Sequence, residues 1–92
     1  MNIIKLDPFG TVLTGREFGQ DVFRELQTKI KYPCVLDFMH IGALGSSFGE
    51  ELLIPIAGKQ QGILNIKNAN PIVMMCLKDI AEEFELKIVV AS

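Results

Sequence analysis

Four short apolar runs alternate with three segments of helical period, and that alternation restricts the folds open to this chain. Residues 2–6, 34–39, 62–66 and 87–90 have the length and composition of strands. Between the first and second of these, Phe18, Val22, Leu26 and Ile30 recur every four residues, with Phe23 beside them. Between the second and third, Phe48, Leu52, Leu53 and Ile56 form an apolar face. Between the third and fourth, Val73, Leu77, Ile80, Ala81 and Phe84 make a stripe at helical spacing. The predicted order is β-α-β-α-β-α-β. Alternation of this kind implies an α/β fold, with a mostly parallel four-stranded sheet, right-handed crossovers and helices packed on it. The run 34–39 is apolar almost throughout, which predicts a strand covered on both faces. With 92 residues, the chain is expected to form a single domain over 1–92.

Local signals set the expected boundaries. Asp7-Pro8-Phe9-Gly10 is turn chemistry, and Thr11-Val12-Leu13 is expected to extend the first strand or pair with it. Thr14 and Glu17 have the spacing of a capping box, and Leu13 and Phe18 that of a hydrophobic staple. The first helix is therefore expected over about 15–30, stopped by Pro33. Residues 40–45 read as a loop with two glycines. Ser47 and Glu50 form a second capping-box pattern, and Pro55 is expected to end or kink the second helix near Ile54. Asn70 before Pro71 is a cap followed by proline at the first helical position.

Charge and cysteine usage narrow the function classes. Nine Lys+Arg against eleven Asp+Glu give a formal net charge of −2, so there is no basic surplus for nonspecific binding to nucleic acid. No apolar run approaches the roughly 20 residues of a membrane helix. The first residues lack the charged start and longer apolar stretch of a signal peptide, and a cytoplasmic protein is expected. Cys34 and Cys76 lie far apart, with no Cys-x-x-Cys and no histidine at ligand spacing. Reduced, buried thiols are expected, with no metal and no cofactor.

Three places carry polar chemistry. Asp37, at the end of a strand, reads as an acceptor for backbone amides of the following loop. His40, the only histidine, lies in a loop after a strand, where α/β folds place ligands. An enzyme built on Asp37 and His40 ranks last, because no nucleophile–base pair accompanies them. Gly42 and Gly45 precede a helix but lack the lysine of a P-loop and the spacing of Gly-x-Gly-x-x-Gly. A small-ligand or nucleotide-binding module using that helix N-terminus is the alternative reading. Ser46 and Ser47 open the second helix, where a hydroxyl caps orphan amides or serves as a regulated group.

Together these residues resemble a family. Arg16 at the head of the first helix, Val35-Leu36-Asp37-Phe38, Ser46-Ser47-Phe48-x-x-Glu51-Leu52 and Leu64-x-Ile66-x-Asn68-Ala69-x-Pro71 are similar in order and spacing to STAS-like domains, bacterial relatives of anti-sigma factor antagonists. The resemblance runs from about Thr11 to Val90. It implies a non-enzymatic regulatory domain that docks on a GHKL-type ATPase or kinase through the loop and first turn of the second helix. The implied contact residues are Gly45, Ser46, Ser47, Phe48, Glu50 and Glu51, supported by Arg16 and Asp37. In better-known antagonists the kinase phosphorylates the first serine of an Asp-Ser-Ser-Gly tetrapeptide. Here the tetrapeptide is Gly45-Ser46-Ser47-Phe48, so Ser46 is the implied acceptor, with Ser47 beside it. Gly45 replaces the aspartate and Phe48 the glycine. Arg16 is expected near the start of the second helix.

Overall fold

The computed structural model describes residues 1–91. Its strands are β1 (Asn2–Lys5), β2 (Val12–Leu13), β3 (Cys34–Asp37), β4 (Ala43–Leu44), β5 (Ile63–Lys67) and β6 (Lys87–Val90). Its helices are α1 (Arg16–Leu26), α2 (Ser46–Gly58) and α3 (Pro71–Phe84). β1, β3, β5 and β6 form an all-parallel sheet in that order, so the α/β fold expected from the alternating pattern is the fold observed.

The strand order has a geometric consequence. Each connection steps the same way across the sheet, and crossovers of one hand then carry every helix onto one face. Burial follows this rule. On the helix side, Leu36, Leu64 and Ile66 are fully buried, together with Leu52, Leu53 and Ile56 of α2 and Val73, Leu77 and Ile80 of α3. On the other side, Ile3, Lys5, Lys87 and Val89 face solvent. The expectation that the strand at 34–39 is covered by packed layers on both faces is therefore corrected. Val35 and Asp37 are shielded on the open face by neighbouring strands, and Val35 lies outside the main core cluster.

A second, two-stranded sheet was not legible beforehand. β2 pairs with β4 in parallel, Val12 opposite Ala43 and Leu13 opposite Leu44, rather than with β1. The pairing sets α1 and α2 side by side with their N-termini together, because each helix follows its strand at once.

One helix cap and two helix ends differ from expectation. α1 begins after Gly15, whose φ of 97° suits glycine, and no side chain caps it; the Thr14–Glu17 capping box does not form. The α-helix ends at Leu26, and a turn carries the chain to Ile30, whose amide still donates to the Leu26 carbonyl at 2.9 Å. α2 runs through Pro55 to Gly58. A proline inside a helix ordinarily costs about 3 kcal/mol, and burial of Leu52, Leu53, Ile56 and Ala57 on either side of it offsets that cost. At α3 the expected cap is present: Asn70 Oδ1 accepts from the Val73 amide at 2.8 Å.

Candidate functional site at the start of the second helix

Arg16, Ser46, Ser47, Glu50 and Glu51 collect where α1 and α2 begin. The Gly45 amide donates to the Leu13 carbonyl at 2.8 Å, closing the β2–β4 pair just before both helices start. Arg16, in the first turn of α1, reaches Glu51 at 3.2 Å and Glu50 at 3.5 Å on α2. Gln20, one turn further along α1, donates to Glu51 at 3.0 Å. The expected proximity of Arg16 to the second helix is thus observed. A cation in a helix's first turn opposes the dipole, and the two carboxylates on α2 compensate it. Hydrogen bonds from Gln20 and then Arg16 hold the Glu51 carboxyl below the usual glutamate range, and Glu51 and Glu50 in turn raise the Arg16 guanidinium.

Ser46 and Ser47 are the first two helical residues, and Gly45 occupies the cap position in extended backbone. No side chain caps α2, so the expected Ser47–Glu50 capping box is absent. The chain turns into the helix directly after the β2–β4 pair: Gly45, whose amide is tied to Leu13, is already the cap residue, two positions before Ser47. Ser46 is exposed and Ser47 half-buried. The two serines are thus free of the structural task assigned to them. Ser47→Ala is expected to leave the denaturation midpoint within about 0.5 kcal/mol of wild type. Asn70→Ala should cost about 0.5–2 kcal/mol, because Asn70 caps α3 and also donates to the Ile41 carbonyl at 3.0 Å. Equal losses in the two variants, read by urea denaturation, would contradict the cap assignment.

Gly45 and Phe48 each have a structural reason. A Cβ on Gly45 would stand 3.1 Å from Thr14 Cγ2, tight enough to press on the β2 turn. Phe48 is completely buried, its ring 5.3 Å from that of Phe18 and tilted by 53°. It is therefore corrected from a surface contact to a core residue lying beneath the first turn of α2. Phe18, expected on the buried stripe, is partly exposed at the edge of the α1–α2 contact.

Asp37 and His40 lie elsewhere, at the carboxyl end of the main sheet. Asp37 Oδ1 accepts from the Met39 amide at 3.0 Å, as expected, and from Asn68 Nδ2 at 2.8 Å. His40, at a φ of 69°, places Nδ1 3.0 Å from Asp7 rather than meeting Asp37. A cleft of about 170 Å³ between them is lined by Lys5, Asp7, Asp37, Met39 and His40, with no serine, threonine or cysteine. Desolvation pushes the Asp37 carboxyl upward, but the bonds from Asn68 and Met39 and the charges of Lys67 and Lys5 outweigh it and hold the group below the usual aspartate range. A carboxyl held low in the folded state contributes stability that is complete above the unfolded value, near pH 4. That stability is lost as pH falls through the lower folded value. Wild type should therefore exceed Asp37→Asn in stability at neutral pH, with the gap narrowing at acid pH, as pH falls below about 4 through the lower folded value. A gap of the same size at neutral and acid pH would show that the charge of Asp37 contributes nothing.

Sequence reasoning missed Gln20, Asn68, the Asp7–His40 pair and the close approach at Gly19. Gln20 carried a signal, standing one helical turn after Arg16 on the same face. Gly19 carried another, as a lone glycine inside a helical pattern. Cys34 is buried and Cys76 partly so, both as free thiols, and burial raises both above the ordinary thiol range. Among the described residues no helix is long and apolar enough to cross a membrane.

The geometry defines an α/β domain with a one-sided parallel sheet and a polar cluster at two adjoining helix N-termini. Compared with family models, curated proteins and solved structures, the chain matches none.

Proposed function

We propose that the chain is a non-enzymatic regulatory domain that docks a GHKL-type ATPase or kinase at the start of α2, with Ser46 as the phosphorylated switch. The resemblance to STAS-like domains supplies the partner class. The observation that supports the site is the state of Ser46: an exposed hydroxyl in the first turn of α2, released from capping by Gly45. Around it, Gln20, Arg16, Glu50 and Glu51 form a fixed polar surface on two helices. A phosphate on Ser46 adds roughly −1.5 to −2 charge. The helix N-terminus tolerates that charge, while Glu50 and Glu51 make the surface more repulsive to an acidic partner. Arg16, already shared between two carboxylates of α2, supplies a cation from the facing helix. The reading implies a bacterial cytoplasmic protein working without a cofactor.

Incubation with a GHKL-type ATPase that co-purifies with the chain, in the presence of Mg-ATP, tests the switch. Mass spectrometry should find one phosphate on Ser46 and none on a Ser46→Ala chain. A bound ATPase that leaves the wild-type chain unmodified would remove the switch, and modification confined to Ser47 would move it.

A further inference from the structure

The open face of the main sheet presents a distinct surface. All-parallel sheets are nearly always covered on both faces, and this one is covered on one. Register places Ile3, Val35, Asn65 and Val89 in a row across the middle of the open face. Ile3 is 51% exposed and Val89 36%. They line a shallow groove of about 430 Å³. Lys5 and Lys67 stand in the next row and Lys87 on the opposite side, against one carboxylate, Asp37, already bonded to Asn68 and Met39. The face is apolar at its centre and basic at its rim.

A surface of complementary chemistry lies on the far side of the same molecule. At 100° per residue, Ile72, Met75, Lys78, Asp79 and Glu82 fall on the side of α3 opposite Val73, Leu77 and Ile80, which are buried. Ile72 and Met75 are 65% and 67% exposed, and Lys78, Asp79 and Glu82 are exposed with them. The strip is apolar with two carboxylates against one lysine, and Glu83 stands at its flank. α3 is 14 residues long, about 21 Å at the usual rise, sufficient to lie along strands of four or five residues.

We propose that the open sheet face binds the outer face of α3 from a second copy of this chain, so that copies add head to tail. Apolar Ile72 and Met75 then cover Ile3 and Val89, and Asp79 and Glu82 meet the lysine rim. A symmetric dimer through two sheet faces would set lysines against lysines. The two complementary surfaces lie on opposite sides of the molecule, so the contact is heterologous and does not close at two copies. Four strands about 4.8 Å apart and about 16 Å long give a footprint on the order of 300 Å² per partner. Stable interfaces bury roughly 800 Å² per partner, so the association is weak and concentration-dependent. It uses neither Ser46 nor the α1–α2 cluster, and it stands or falls apart from the proposed docking function.

Sedimentation equilibrium of the purified chain, at concentrations up to about 1 mM and low salt, tests it. The weight-average mass should climb from the 10.2 kDa monomer past the dimer, and return toward monomer at about 500 mM salt. Ile3→Glu blocks the sheet face and Met75→Lys blocks the helix face. Each variant should stay monomeric, while their equimolar mixture should form a one-to-one dimer and stop there. Lys87→Glu serves in place of Ile3→Glu if that chain loses its helical circular dichroism. A wild-type chain monomeric throughout overturns the proposal, whether or not it sediments with anionic vesicles. So does a dimer that stops growing, or a variant mixture that stays monomeric.

Discussion

Truncating Phe48 to alanine is expected to cost about 3–5 kcal/mol of folding stability. Phe48 is fully buried in the first turn of α2, and its ring leans on Phe18 of α1. Removing it opens a cavity between the two helices that carry the candidate site. Domains of this size hold roughly 5–15 kcal/mol in total, so the variant should have a sharply lowered denaturation midpoint. The position is the one at which the better-known antagonists carry glycine. A large ring here means that the first turn of α2 is anchored from below, not left flat for a partner. A Phe48→Ala chain with wild-type stability would contradict the burial and return Phe48 to the surface.

Substitution of Gly19 should be nearly as damaging, for the opposite reason. A Cβ built on Gly19 would stand 2.8 Å from the Phe48 carbonyl oxygen and 3.0 Å from its Cα. Those are backbone atoms of α2, and they yield only if one helix lifts off the other. Alanine ordinarily stabilises a helix interior by about 1 kcal/mol over glycine. Here overpacking should reverse the sign, with a net loss of about 1–3 kcal/mol for Gly19→Ala and more for Gly19→Val. Gly58 is the internal control. It closes α2 with nothing within 4 Å of its added Cβ, and Gly58→Ala should be neutral or mildly stabilising. Thermal midpoints of the two alanine variants, moving in opposite directions, would establish the close crossing; midpoints moving together would dismiss it.

The order of strands and helices could be read because the period of apolar residues switches between continuous runs and helical spacing, and that switch is local. Leu77 and Ile80 are buried where their spacing puts them. The side-chain caps expected for α1 and α2 do not form, because those helix starts are decided at a distance, whereas the Asn70 cap of α3 is local and is observed. Thr14 and Ser47 each have a glutamate three residues on, but β2 pairs with β4 and the caps fall to Gly15 and Gly45. Two-residue strands leave no periodic signal, so the pairing that overrides both capping boxes was invisible. The bare sheet face was hidden for a related reason. Cys34-Val35-Leu36 reads as a strand buried on both sides, and it is, but Val35 is shielded by neighbouring strands rather than by a helix layer. At the site, the contact of Arg16 with the second helix followed from the resemblance, and the α1–α2 pairing supplies its physical basis. The burial of Phe48 did not follow, since a surface role was borrowed from a motif that has glycine at that position.

We propose that α2 begins a docking surface whose state is set at Ser46. Calorimetric titration of the chain and of its Ser46→Asp variant into a co-purifying GHKL-type ATPase measures this most directly. Ser46 is exposed and caps nothing, so Ser46→Asp should keep the wild-type thermal midpoint while binding at least about tenfold more weakly, a loss of about 1.4 kcal/mol. Equal affinity of the two chains would contradict the claim and leave Ser46 as an ordinary residue of the first turn.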